Sequence, residues 1–194
     1  PGVYRLLVGK VPIRDVLRMG KWKVALVPGD AETGDAMTML ASVDKLGRIR
    51  DAIRPLGEVA DYVFIDMPPS RAAGFEDLLA VSDWVIVPTQ LERLSLEGVT
   101  FMAQTARKLQ RENGRGPRLL GIVPNMARRT IEHREQLATL VDTFGATVWT
   151  PIPQSVRVSE ACGYGDVMFH HAPDHKVTEA LRKVGRRFIE NTGG

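Results

Sequence analysis

The residue with the clearest chemical potential is Asp66, which follows the run Tyr62-Val63-Phe64-Ile65 and precedes Met67-Pro68-Pro69. The run is β-branched and aromatic and carries no charge, so it reads as a short strand buried on both faces. Two prolines cannot continue a central strand, and they turn the chain away just beyond the acid. In an open α/β sheet, ligands bind at the carboxyl ends of the strands. A carboxylate placed there suits the hydrated Mg²⁺ that a nucleotide carries, because Mg²⁺ keeps several waters and needs only one or two protein carboxylates. The competing reading is an Asp that caps the turn after a strand and binds nothing.

A second strand end carries an amide. Leu119 to Val123 is uniformly apolar and stops at Pro124-Asn125. The Asn125 carboxamide both donates and accepts, which suits the edge of a nucleobase. It equally suits the cap of a following helix. Other groupings are weaker. His171 and His175 have the spacing of helical metal ligands, but Pro173 between them spoils a shared face and no third ligand is in view. Ser155 and Ser159 lack a nearby histidine to activate them. Cys162 lies among glycines and reads as a small packing residue.

These residues need a sheet to position them, and the chain alternates strands with helices. Patterning predicts a helical pair at Val3 to Val8 and Ile13 to Leu17, with Gly9-Lys10 as a stop and Pro12 in a first helical turn. A strand follows at Lys23 to Val27, then helices at Ala36 to Leu40 and Ile49 to Arg54, stopped by Pro55-Leu56-Gly57. After the Tyr62 run come a helix at Phe75 to Ala80 and a strand at Trp84 to Val87 closed by Pro88. Leu94 to Leu109 and Ile131 to Phe144 are helical, on either side of the Leu119 strand. A short strand is expected at Ala146 to Trp149 and a last helix at Lys176 to Ile189, with a frayed end at Gly193-Gly194. Apolar strands alternating with helices imply an α/β fold, a mostly parallel sheet flanked by helices on both faces. No linker, repeat or low-complexity segment divides the 194 residues, so 1–194 reads as one domain.

Composition narrows the class. With 44% hydrophobic and 25% charged residues the chain is an ordinary globular sequence. One cysteine excludes a disulfide framework and a multi-cysteine zinc site, and fits a reducing cytoplasm. No apolar run is long enough to span a bilayer. A net charge of +3 is compatible with nucleic acid but too small to argue for it.

Four blocks, in order, carry a family resemblance. Phe64-Ile65-Asp66-Met67-Pro68-Pro69 resembles the I-D-x-P-P switch segment of the ParA/MinD-type deviant Walker ATPases. The stretch from Pro88 through Gln90, Glu92 and Glu97-Gly98 is similar to the P-x-Q-x-E-x-x-x-x-E-G block of the ParA partition proteins. Leu120-Gly121-Ile122-Val123-Pro124-Asn125-Met126 resembles their L-G-I-x-x-x-M strand, and Pro151 to Ala161 their I-P-R-x-V-R-x-S-E-A segment. The resemblance covers most of the chain and implies a P-loop NTPase fold.

It implies roles as well. Asp66 would hold Mg²⁺, directly or through water, beside the β- and γ-phosphates of ATP, and Pro68-Pro69 would form a switch that senses the γ-phosphate. Asn125, Met126, Pro153 and Gln154 would flank the base. Gln154 stands where the family's usual Arg follows I-P, so a contact made by that arginine does not carry over. In such ATPases a nucleotide-sandwich homodimer coats DNA nonspecifically, and a ParB-type partner stimulates hydrolysis during plasmid or chromosome partition in a nucleoid-associated, cytoplasmic setting. The candidate DNA-binding residues are Arg128 and Arg129, and Arg182, Lys183, Arg186 and Arg187 on the last helix. A membrane-surface helix, as in the MinD branch, would want bulky apolar residues at the extreme end, and Asn191-Thr192-Gly193-Gly194 supplies none. DNA is therefore preferred to membrane.

The departure is the glycine-rich phosphate loop, K-G-G-x-G-K-[ST], whose backbone N–H groups and lysines cradle phosphates. Gly9-Lys10 is followed by Val11-Pro12 and does not qualify. The chain opens at Pro1, so the expectation is an incomplete amino terminus whose loop lies upstream, and a chain that does not hydrolyse ATP as given. Two rivals are a membrane-associated ATPase of the MinD-like or polysaccharide-export type, and a non-catalytic scaffold. An upstream K-G-G-x-G-K-[ST] in the coding sequence separates the scaffold from the enzyme. Asp66→Ala in the complete protein is expected to abolish Mg²⁺-dependent hydrolysis, measured as phosphate release; unchanged turnover would remove Asp66 from the site.

Overall fold

The computed structural model describes residues 2–8, 11–29, 33, 45–67, 74–93, 95–114 and 116–193. The helix expected at Ala36 to Leu40, the stop at Gly9-Lys10 and the Pro68-Pro69 turn lie outside the described residues. Contacts divide the chain into two units, Pro1–Ser82 with Asn113–Gly116, and Asp83–Glu112 with Pro117–Gly194.

In the first unit, α1 (Val3–Leu7) and α2 (Ile13–Val16) form the expected helical pair, α2 starting behind Pro12. A small hairpin follows, β1 (Arg18–Met19) antiparallel to β2 (Ala25–Leu26). The strand expected at Lys23 to Val27 is thus two residues long, because Trp22 and Lys23 adopt left-handed backbone at φ 64° and 58° and reverse the chain there. Helix α3 (Lys45–Ile53) runs on into a 3₁₀ turn, Arg54–Glu58. The α-helix ends at Ile53, ahead of the stop expected at Pro55-Leu56-Gly57, and Pro55 sits in the first positions of the 3₁₀ turn, where a missing N–H costs nothing. Helix α4 (Phe75–Ala80) has the expected bounds. Ile49 of α3 and Leu7 of α1 are buried together, with Val3, Ile53, Leu78 and Val81 packed around them.

The strand expected at Tyr62 to Ile65 is not formed. Residues 62–67 have no regular secondary structure, and Val63 and Phe64 are 41% and 74% exposed. β-branched and aromatic residues favour a pleated, half-buried surface, but a strand exists only where a neighbour pairs with it. Among the described residues no strand pairs with this run.

The second unit is built on β3 (Trp84–Gln90) and β4 (Arg118–Asn125), which pair in parallel from Trp84↔Arg118 to Gln90↔Asn125. Helix α5 (Ser95–Asn113) makes the crossover that parallel neighbours require. Both strands run through the prolines expected to end them, Pro88 and Pro124. A proline is tolerated in a strand where its missing N–H is not needed by the paired neighbour. Helix α6 (Ile131–Phe144) matches its expected bounds. The strand expected at Ala146 to Trp149 is instead a 3₁₀ turn, Gly145–Thr147, after which Val148 alone bridges to Ile122 in parallel. Three helices close the chain: α7 (Val156–Gly163), α8 (Met168–His171) and α9 (Lys176–Thr192).

Residues 149–154 extend the parallel arrangement on the free side of β4. Trp149 N–H donates to the Ile122 carbonyl at 2.8 Å and Ile152 N–H to the Pro124 carbonyl at 2.8 Å. Pro151 and Pro153 supply no donors, which keeps this segment from reading as a regular strand. Its anchor is Trp149, 2% exposed, whose indole occupies the space where a side chain on Gly121 would stand. Leu120, Val123 and Trp149 are buried together against Val184 and Phe188 of α9. Val177 and Ala180 are buried on the same helix, whereas Ile189 is 41% exposed. The fold is α/β, a parallel sheet with helices on both sides. No helix among the described residues is long and apolar enough to cross a membrane.

A Cβ at Gly121 would come within 2.2 Å of Trp149 Cε2, a ring atom with no room to withdraw. Gly121→Ala is expected to cost about 1–3 kcal/mol as overpacking. In a chain of this size that lowers Tm by roughly 2–4 °C per kcal/mol. A thermal melt followed by circular dichroism checks this; an unchanged Tm would contradict the packing described.

Candidate functional site

Four of the residues read from sequence as base-binding come together at the carboxyl end of β4. The hydrogen-bond pattern that joins them starts where the strand ends. Ala127 N–H donates to the Ile152 carbonyl at 2.9 Å, and Gln154 N–H returns to the Ala127 carbonyl at 3.0 Å. Ala127 and Pro153 therefore form a parallel bridge, which sets Asn125-Met126 beside Pro153-Gln154.

Within this cluster each amide has a fixed orientation. Asn125 Oδ1 accepts from Met126 N–H at 2.9 Å. A backbone N–H can only donate, so the oxygen is identified and Nδ2 is the outward group. Asn125 is half-buried, and Met126 beside it is 45% exposed with a left-handed φ of 53°. Such backbone is uncommon in a non-glycine residue and is concentrated at functional sites. Gln154 is oriented by the same logic: Arg128 Nε donates to its Oε1 at 2.6 Å. The Arg128 N–H donates in turn to His133 Nδ1 at 3.1 Å, so that His133, buried at the start of α6, has Nδ1 as its acceptor nitrogen. Thr130 caps α6 by accepting from His133 N–H at 3.2 Å, which stiffens the turn between strand and helix.

Asn125 Nδ2 is a donor with no acceptor among the described residues, and Oδ1 retains one lone pair. Together they offer one donor and one acceptor to a base edge, with Met126 and Pro153 as apolar flanks.

The remaining expected residues are placed as follows. Asp66 belongs to the first unit, is exposed, and follows the irregular 62–65 run. Pro68 and Pro69 lie outside the described residues. Arg128 is held by Gln154, and Arg129 is exposed. On α9 three of the four candidate DNA-binding residues have internal partners. Arg182 donates to the Pro173 carbonyl at 2.8 Å and lies 5.8 Å from the Phe169 ring. Arg187 donates to the Ala146 carbonyl and lies 5.8 Å from the Trp149 ring. Lys183 Nζ stands 2.8 Å from Glu179 Oε1, the favourable i,i+4 order, while Arg186 is exposed. Cys162 is exposed, not packed: the neighbouring Ala161 takes the buried side of α7, and the next helical position turns away from it. His175 caps α9 through Val177 N–H, and His171 stacks on Tyr164. Among the described residues no cluster of three or more His, Cys, Asp or Glu could hold a metal ion.

Sequence reasoning missed the Arg128–Gln154 bond, which spans 26 residues, and the His133 acceptor beneath it. Neither leaves a local signal. Helix α7 did leave one: Ser155, whose side chain accepts from Arg157 N–H, is a preferred cap residue.

Residues 1–116 match the family described as AAA domain. The chromosome-partitioning ATPase Soj of Thermus thermophilus is 33% identical over 190 residues, covering 97% of this chain and 74% of its own length. Among solved structures, an ATP complex of McdA from Cyanothece aligns with TM-score 0.86 at 18% identity, covering 97% of this chain and 75% of that one. A cobyrinic acid a,c-diamide synthase from Mycobacterium smegmatis, with bound ATP analog and magnesium, aligns with TM-score 0.71 at 28% identity, covering 80% and 65%.

The hydrogen bond and positive charge of Lys183 hold the Glu179 carboxyl below the usual carboxylate range, with smaller help from Arg186 and Arg182. A depressed carboxyl contributes its pair above the ordinary carboxylate pKa and loses it as pH falls through its lowered value. Lys183→Ala is expected to raise the Glu179 titration toward the ordinary range, as followed by NMR. A curve that does not move would show that the pair is not formed.

Proposed function

The chain belongs to the ParA/MinD-type family of partition ATPases, and on that premise we propose that it binds ATP with the adenine at the Asn125–Gln154 cluster. The observation that carries the reading is the Ala127–Pro153 bridge, which sets two oriented amides at the carboxyl end of a buried strand. In this reading Asn125 presents Nδ2 to a ring nitrogen and its remaining Oδ1 lone pair to an exocyclic amine. Pro153 and Met126 cover the faces of the base. Arg128 keeps Gln154 turned so that its Nε2 is the free donor.

Asp66 is the carboxylate that would hold Mg²⁺, and Pro68-Pro69 the switch beside it. Mg²⁺, when bound, neutralises charge on the phosphates and leaves positioning to the protein. One exposed carboxylate suffices for such an ion, which takes its other ligands from water and phosphate.

In the wider function, ATP binding drives a homodimer that coats DNA nonspecifically, and a ParB-type protein stimulates hydrolysis and release. The setting is plasmid or chromosome partition, with the protein in the cytoplasm on the nucleoid. The likeness to Soj supports this. Arg129 and Arg186, both exposed, would meet phosphates, with Arg128, Arg182, Lys183 and Arg187 as the further candidates.

Asn125→Ala in the complete protein tests the base site. Loss of one or two neutral hydrogen bonds is expected to weaken ATP binding by about three- to tenfold, with little change in stability. Isothermal titration against ATP measures it. An unaltered affinity would overturn the assignment of the cluster.

A further inference from the structure

Three arginines gather where α5 runs out toward β4. Arg107 and Arg111 stand one helical turn apart on α5, and Arg118 opens β4. All three are exposed, and among the described residues none takes part in an ion pair. Arg107 and Arg118 line a cleft of about 320 Å³ together with Gln110, Thr143 and Thr147, and among the described residues no carboxylate lines it. Its walls are braced. Gln110 Nε2 donates to the Pro117 carbonyl at 3.0 Å, and the Arg118 guanidinium lies 5.1 Å from the Trp84 ring.

Helix electrostatics explain part of this. A cation in the last turn of a helix is favoured by the partial negative charge of the free carbonyls, and Arg111 is such a cation. That effect fades within a turn, so it does not account for Arg118, which lies beyond the helix. A cleft lined by guanidinium and hydroxyl donors without a carboxylate selects anions, and the guanidinium fork matches phosphate oxygens. On α9, by contrast, Arg182 and Arg187 are committed to carbonyls and Lys183 to a carboxylate.

We propose that the α5–β4 corner is a phosphate-contacting surface for the backbone of duplex DNA. Arg107 and Arg118 take one phosphate in the cleft and Arg111 takes a neighbouring one. The inference rests on the DNA-binding reading given above and adds the surface to it. The nucleotide cluster lies at the other end of the same strand: Arg118 and Asn125 are seven steps apart, roughly 23 Å at about 3.3 Å per residue. ATP at that cluster and a phosphate at Arg118 therefore do not compete for space.

The test is binding of a labelled duplex by the complete protein with ATP, followed by fluorescence anisotropy over a range of salt. Each phosphate contact contributes about 0.9 to the slope of log K against log salt concentration. The triple variant R107A/R111A/R118A is expected to flatten the slope by about two, for the two phosphates contacted, at unchanged ATP affinity and unchanged far-UV circular dichroism. Arg→Lys at the three positions should restore most of the slope, because charge rather than shape sets it. Equal slopes for the triple variant and the unmodified protein would overturn the surface and leave DNA binding standing. No duplex binding by the unmodified protein would overturn both. Titration with inorganic phosphate supplies a last arm: a variant that loses phosphate binding yet keeps the DNA slope would make the cleft a small-anion site, against the proposal.

Discussion

The second unit depends on the contact between Gly121 and Trp149. A strand residue without a side chain leaves a gap, and the indole fills it so closely that no Cβ could coexist with it. With the ring seated there, the backbone from Trp149 is held against Ile122, Pro124 and Ala127 by a run of hydrogen bonds. Two prolines deprive this segment of donors, so the ladder alone is sparse. Side-chain burial compensates for the missing bonds, and Val184 and Phe188 of α9 complete the same apolar cluster. The position of Pro153 and Gln154 relative to Asn125 thus follows from a packing event several residues upstream.

Much of this was legible in the sequence where the information is local. The helices at Phe75–Ala80 and Ile131–Phe144 follow from apolar periodicity and keep their expected bounds. The parallel pairing of the Trp84 and Leu119 runs follows from their uniform apolarity and the helix between them. Asn125 could be singled out because a polar residue at the end of such a run is conspicuous, and the family pattern supplied Pro153 and Gln154.

What was not legible depends on partners far along the chain. Tyr62-Val63-Phe64-Ile65 has the composition of a strand, but composition does not supply the neighbour that makes a ladder. Pro88 and Pro124 were read as terminators because their own missing donors are visible in sequence, whereas the side of the strand those donors would face is not. The Arg187 contact with the Ala146 carbonyl spans 41 residues, and it turns an apparent surface cation into a brace over Trp149. Charge counted along α9 therefore overstates what that helix offers to a ligand.

The Arg128–Gln154 bond has a consequence for how this sequence can change. Gln154 stands where the I-P-R pattern of the resemblance has an arginine, and in this protein its oxygen receives a neighbouring arginine's Nε–H. An arginine at 154 has no acceptor atom and would set two guanidinium groups face to face. The two positions are therefore epistatic: a replacement neutral in a relative is unfavourable here unless residue 128 changes with it. Transplanting the 151–161 segment between family members carries half of a pair, and its effect depends on a residue outside the segment.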